Sequence, residues 1–151
     1  MAKSIDRSVN EMLVNLFNSV LQTESKAVIT AEYSDITEND MHIIEAIGVG
    51  EPQKASCIAK KMGVTPGTIT INLKNLERKG YIIRKRGESD KRVVNASLTE
   101  KGRQTFFHHK DFHKHMIKAA VKDFNEEEMA ILIRCLKKLT DFFDNYKYLN
   151  Q

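Results

Sequence analysis

At 151 residues, with 41% hydrophobic and 29% charged side chains, the chain has room for one domain with a substantial core, or for a small module joined to an accessory helical layer. That composition belongs to an ordinary globular protein, and the start of the chain lacks the apolar run and small-residue cleavage site of a signal peptide. No later stretch approaches about 18 apolar residues, so a cytoplasmic location and no membrane partner are expected. The net charge is only +4, yet between Lys74 and Arg92 eight basic residues face three acidic ones, and so concentrated a charge points to a polyanionic partner.

The first predicted helix runs from about Ile5 to Ala31, because Ile5, Val9, Met12, Leu16 and Val20 recur at three- and four-residue spacing. In "SDITENDMHIIEAIG" Thr37 can cap a second helix, Asp40 answers it in a near capping box, Ile43, Ile44 and Ile47 form its buried face, and Gly48 and Gly50 end it. A short helix follows in "KASCIAKKMGV", with Ile58, Ala59 and Met62 inward and Gly63 as its stop. Thr65 then caps "VTPGTITINLKNLERKG", Pro66 occupies its first turn and Gly80 follows its end. Two short helices joined through a glycine make a helix-turn-helix.

"YIIRKR" and "RVVNASL" predict two strands around the polar turn "GESDK". A hairpin directly after a helix-turn-helix is a winged helix. Thr99 caps the next helix, on which Phe106, His109, His113, Ile117, Ala120 and Phe124 share a face. Asn125 and Glu128 open the last one in capping-box spacing, and Met129, Leu132, Ile133, Leu136, Leu139, Phe143 and Tyr146 form its stripe. The expected fold is mainly α: residues 1–34 as a dimerisation helix, 35–98 as a winged helix-turn-helix, and 99–151 as further dimerisation helices. The long stripes need burial, and pairing with a second copy supplies it. Cys57 and Cys135 lack metal or disulfide spacing and are expected to be small buried hydrophobes.

On the reading helix, Ile69, Leu73 and Leu76 face the core. Gly67, Ile71, Lys74 and Arg78 lie opposite, flanked by Thr65, Thr68, Thr70 and Asn75. This face suits a DNA major groove: glycine permits close approach, Thr and Asn can bond base edges, Ile71 can touch a thymine methyl, and Lys74 and Arg78 can reach phosphate or guanine. An outward Ile71 and a glycine early in a helix are unfavourable on a merely solvated surface. In the hairpin, Arg84, Arg86, Lys91 and Arg92 lie within reach of a DNA backbone. An arginine entering the minor groove gains from its focused negative potential, and Asp90 is placed to hold Arg92. No catalytic constellation accompanies these residues: no GxSxG, no Gly-rich phosphate loop, no HExxH.

"ESDKRVVNASLTEKGR" resembles the wing signature of the MarR family of bacterial regulators, D-x-R, a strand, then L-T-x-x-G, matched by Asp90, Arg92, Leu98, Thr99 and Gly102. The resemblance implies a homodimeric repressor bound to a double-stranded, pseudo-palindromic DNA operator, with Arg92 in the minor groove. "NDMHIIEAIG" and "VTPGTITINLKNLERKGYI" look like the branch that represses fatty-acid-synthesis genes, which implies long-chain acyl-acyl carrier protein, or another apolar ligand, as the effector and no required cofactor. A zinc-responsive branch of the family implies a different switch. Its Glu, His and HxxxH ligands correspond to Glu24, His42, His109 and His113, and two histidines at i and i+4 can share a metal. The alternative for these histidines is packing or hydrogen bonding within the helical layer.

Overall fold

The computed structural model describes residues 2–28 and 33–149, arranged in two compact units, Met1–Phe112 and His113–Gln151. In the first unit, α1 (Ala2–Val28) is followed by α2 (Glu38–Ile47), β1 (Gln53–Lys54), α3 (Ala55–Met62), α4 (Pro66–Arg78), β2 (Ile82–Arg86), β3 (Val94–Leu98) and the start of α5 (Glu100–Ala120). The second unit holds the remainder of α5 and α6 (Glu126–Leu149). The fold is a mainly helical winged helix with a small antiparallel sheet. The end proposed for the first helix, Ala31, lies outside the described residues.

Local chemistry starts and stops the helices as the sequence indicates. Thr37 accepts the Asp40 amide at 3.1 Å while the Asp40 carboxylate accepts the Thr37 amide at 3.1 Å, a complete capping box. Thr65 accepts the Thr68 amide, with Pro66 at the first helical position. Gly63 adopts φ +65, the left-handed conformation that lets α3 end and α4 begin at once. In the second unit Asn125 and Glu128 exchange amide bonds of 2.9 Å at the start of α6.

Within the first unit, α2, α3, α4 and the hairpin close the core: Met41, Ile43, Ile44 and Ile47 of α2, Ile58 and Ala59 of α3, Ile69, Leu73 and Leu76 of α4, and Tyr81, Ile82, Ala96 and Leu98 at the hairpin. A fully buried leucine such as Leu76 contributes about 2–5 kcal/mol relative to alanine. The sheet order is β1-β3-β2, with Arg84 opposite Ala96 in one pair and Gln53 opposite Ala96 in the other. The two-residue β1 was not anticipated, because it has too few residues to show alternation.

Two expectations are corrected. Phe124 falls in the turn after α5, which ends at Ala120, so it is not part of that helix's face. Cys57 and Cys135 are exposed rather than buried: the face α3 turns to the core carries Ile58, Ala59 and Met62 but not Cys57, and on α6 Cys135 lies among exposed residues. Arg84, expected within reach of a DNA backbone, is paired with a neighbouring carboxylate, as described below.

Candidate nucleic-acid interface

The reading helix α4 is divided as its periodicity demands. Ile69, Leu73 and Leu76 are buried, while Thr65, Gly67, Thr68, Thr70, Ile71, Lys74 and Arg78 are exposed and Asn75 is half-buried. Ile71 is 62% exposed, a large apolar side chain with nothing over it in the middle of a polar face. The Thr65 hydroxyl caps the helix and contacts the Thr68 hydroxyl at 2.9 Å, and the Thr70 hydroxyl donates to the Pro66 carbonyl at 2.7 Å. These bonds fix the threonine rotamers at the end of the helix that has the least bulk.

At the wing tip one carboxylate organises the turn. Asp90 accepts the Arg92 backbone amide at 2.9 Å, its Nε at 3.2 Å and its Nη2 at 3.3 Å. The Arg92 side chain remains 93% exposed, so the pair directs the guanidinium outward without enclosing it. The Arg92 hydrogen bonds hold the Asp90 carboxyl below its ordinary range. Lys91 and Arg86 are exposed beside it. Between α4 and the wing lies a cleft of about 410 Å³ whose lining includes Lys54, Ser56, Thr70, Arg84 and Arg92. Lys54 and Ser56 were not anticipated: nothing in "QKAS" marks them locally, and they join the cationic face only because β1 adds to β3.

Arg84 differs from the other basic residues of the hairpin. Its Nε and Nη2 reach Glu77 Oε2 at 2.9 and 2.5 Å, and its backbone amide donates to Glu77 Oε1 at 3.0 Å. The Arg84 side chain is 23% exposed, and its hydrogen bonds hold the Glu77 carboxyl below its ordinary range.

Behind the interface a polar joint ties the ends of α2, α4 and α5 together. Asp40, already in the capping box, accepts Lys79 Nζ at 2.7 Å. The Tyr81 hydroxyl donates to Asp35 at 2.6 Å, and Lys101 Nζ lies 3.9 Å from the Tyr81 ring centre and 3.2 Å from the Lys79 carbonyl. Burial, then the hydrogen bond to Asp35, raises the Tyr81 phenol above its ordinary value, and the same hydrogen bond lowers Asp35. Thr99 donates its hydroxyl proton to the Gly80 carbonyl at 2.7 Å, its amide to the Tyr81 carbonyl at 3.0 Å, and accepts the Gly102 amide at 3.1 Å. A Cβ at Gly102 would fall 2.1 Å from the Tyr81 carbonyl oxygen. The L-T-x-x-G motif is therefore a contact motif, in which threonine bonds the reading head and glycine lets the helix backbone touch it.

His42 of α2 and His109 of α5 lie near each other, with ring centres 6.2 Å apart. His109 is 2% exposed, with Nδ1 2.8 Å from Glu45. His42 lies 3.8 Å from Glu38 and 3.5 Å from Glu45. Donor atoms of Glu24, Glu38 and His42 all lie within 4.8 Å of one another, so Glu24 and His42 are brought together and Glu38 joins them. His113 belongs to the second unit.

Residues 36–94 match the MarR family model. The chain is 40% identical to Streptococcus pneumoniae FabT, solved in complex with DNA, over 93% of this chain and 98% of that one, with a TM-score of 0.88. The chain belongs to the MarR family. Among curated relatives it is 29% identical over 128 residues to the HTH-type transcriptional regulator PchR of Bacillus subtilis, covering 82% of this chain and 76% of that protein. A MarR family protein from Bacillus stearothermophilus shares the fold at a TM-score of 0.79 and 20% identity, over 95% of this chain and 99% of that one. This MarR-family chain is thus a transcriptional regulator, and its relatives are regulators rather than enzymes.

Proposed function

We propose that the chain is a homodimeric repressor that binds a pseudo-palindromic operator and controls fatty-acid-biosynthesis genes, with long-chain acyl-acyl carrier protein as the corepressor. The observation that carries this reading is the similarity to FabT bound to DNA, which spans nearly the whole of both chains. The charge and shape of α4 and the wing support it. So do the exposed apolar side chains of the outer helices, among them Met12, Leu16 and Phe17 on α1 and Leu136, Phe142 and Phe143 on α6. Burying each against a second copy would contribute about 1.5–3 kcal/mol, and a twofold dimer offers the same surface from both partners.

In this mechanism Gly67, Thr68, Thr70, Ile71 and Asn75 meet base edges while Lys74 and Arg78 reach guanine or phosphate. Arg92 enters the adjacent minor groove and Lys91 and Arg86 contact backbone. Twofold symmetry sets half-site centres roughly 10 bp apart. An effector held by the outer helices alters the distance between the two reading heads through the Thr99–Gly102 joint. The test is anisotropy titration of a duplex selected by the protein from a random library. Long-chain acyl-acyl carrier protein should tighten binding, and an unchanged Kd removes the acyl reading.

A second reading has its own observation, the convergence of Glu24, Glu38 and His42. Two carboxylates and an imidazole form an O,O,N donor set suited to zinc, which would supply a fixed charge linking α1 to α2. Neutral His42 would donate a ring nitrogen, and Glu45 would orient His42 and His109. Calorimetry with zinc tests it: stoichiometric binding abolished in Glu38→Gln supports a metal switch, and no heat of binding removes it.

A further inference from the structure

We propose that the Glu77–Arg84 pair is a positioning device that sets the wing at a fixed angle to the reading helix, so that Arg84 acts through Glu77 rather than on a DNA phosphate. The inference rests on the DNA-binding reading above and deepens it.

The geometry gives the first argument. A single carboxylate receives three N–H groups of one residue, two from the guanidinium and one from the backbone. A surface ion pair fixes only the tips of two flexible side chains. Here the backbone bond fixes strand β2 itself. In the sheet order β1-β3-β2, β2 is an edge strand, and an edge leaves backbone donors without a strand partner. The Glu77 carboxylate substitutes for that partner at the Arg84 amide.

Topology supplies the second. Helix α4 and strand β2 are joined covalently through Lys79, Gly80 and Tyr81. That short junction and the buried Ile82 and Leu98 hold the base of the hairpin. The tie from Glu77 to Arg84 closes a second connection across the same corner, and Ala96, opposite Arg84 on β3, is fully buried and anchors the hairpin from its other strand. Because β3 leads to Arg92 at one end and Thr99 at the other, holding β2 holds the wing tip.

Charge makes the third. Glu77 lies in the last turn of α4 beside Arg78 and one turn from Lys74. An acid there is disfavoured by the helix dipole and would repel phosphates. Removing Glu77 would raise the positive charge of the reading head, so a surface serving electrostatics alone would not carry it. Arg84 neutralises it and occupies the wall of the cleft between α4 and the wing.

The experiment compares Glu77→Gln, Arg84→Gln and the double variant, each checked for retained secondary structure and melting temperature, on a duplex selected by the wild-type protein. Positioning predicts that each single change weakens binding about tenfold, the loss of one charge-assisted pair, that the double variant is no weaker than the worse single one, and that the salt slope is unchanged. It also predicts a split footprint, with minor-groove protection under the wing lost and major-groove protection under α4 kept. A merely structural role would lose both together. If Arg84 instead contacts phosphate, Glu77→Gln binds as tightly as wild type or tighter and Arg84→Gln lowers the salt slope by about 0.9, which overturns the proposal. Failure of the wild-type protein to select any duplex would refute the DNA-binding reading, and the brace with it.

Discussion

Replacing Gly102 with alanine sets two effects of opposite sign against each other. Helix propensity favours the change, by up to about 1 kcal/mol for a glycine inside a helix and less in a first turn such as this one. Packing opposes it: the new Cβ would stand 2.1 Å from the Tyr81 carbonyl oxygen, 3.1 Å from its carbon and 3.3 Å from Leu98 Cβ. The oxygen belongs to backbone at the corner between α4 and β2, flanked by core residues Leu76 and Ile82, so it cannot swing aside as a side-chain tip would. The first turn of α5 must retreat by roughly 1 Å, at the ~1–3 kcal/mol typical of overpacking. Retreat also stretches the Thr99 amide bond to that same oxygen, 3.0 Å long, adding about 1 kcal/mol. The balance is a loss of about 2 kcal/mol, or a fall of roughly 4–8 °C in Tm for a chain of this size. Circular dichroism melts read it directly. A variant with unchanged or higher Tm would show that the close approach does not constrain the fold and that the motif's glycine has another purpose.

Gly67 should behave in the opposite way, because a Cβ there meets only the Thr65 hydroxyl at 3.9 Å. Gly67→Ala is expected to raise stability by about 0.5–1 kcal/mol while weakening operator binding, as melts and anisotropy would show; unweakened binding would mean the backbone does not approach DNA there. Arg92→Ala removes a side chain with little packing, so Tm should hold while operator affinity falls and the salt slope drops by about 0.9. The Arg84 hydrogen bonds hold the Glu77 carboxyl below the ordinary glutamate value of 4.5, so its contribution is present above that value and lost as pH falls through the folded value. Acid unfolding followed by fluorescence or circular dichroism should therefore be steeper below about pH 4.5 in the wild type than in Glu77→Gln, and equal slopes would contradict the pairing.

Features set by a few neighbouring residues were legible in the sequence. The Thr37–Asp40 and Asn125–Glu128 boxes each span three residues, and the Asp90–Arg92 pair spans two. The buried face of α4 followed from its 3.6-residue period. The exposed stripes of α1 and α6 were visible as stripes, and the wing signature with L-T-x-x-G by itself marked the family. The cysteines show where such reasoning stops: hydrophobic character favours burial on average, but a short helix has one inward face, and Cys57 is not on it.

What the sequence determined by itself was therefore the order of the helices and the hairpin, their caps, the face α4 presents and the family. Tertiary structure alone decided which charges are free. Arg84 and Arg92 are both basic residues of one hairpin, yet one is committed to Glu77, seven residues earlier on another element, and the other is directed outward by Asp90. Lys79 meets Asp40 and Tyr81 meets Asp35, 39 and 46 residues away, and Lys54 joins the cationic face only through a two-residue strand. Helix periods and caps depend on contacts within one turn of chain, which a sequence displays. Ion pairing between elements depends on the angle at which they pack, and that angle is fixed only when the whole core closes.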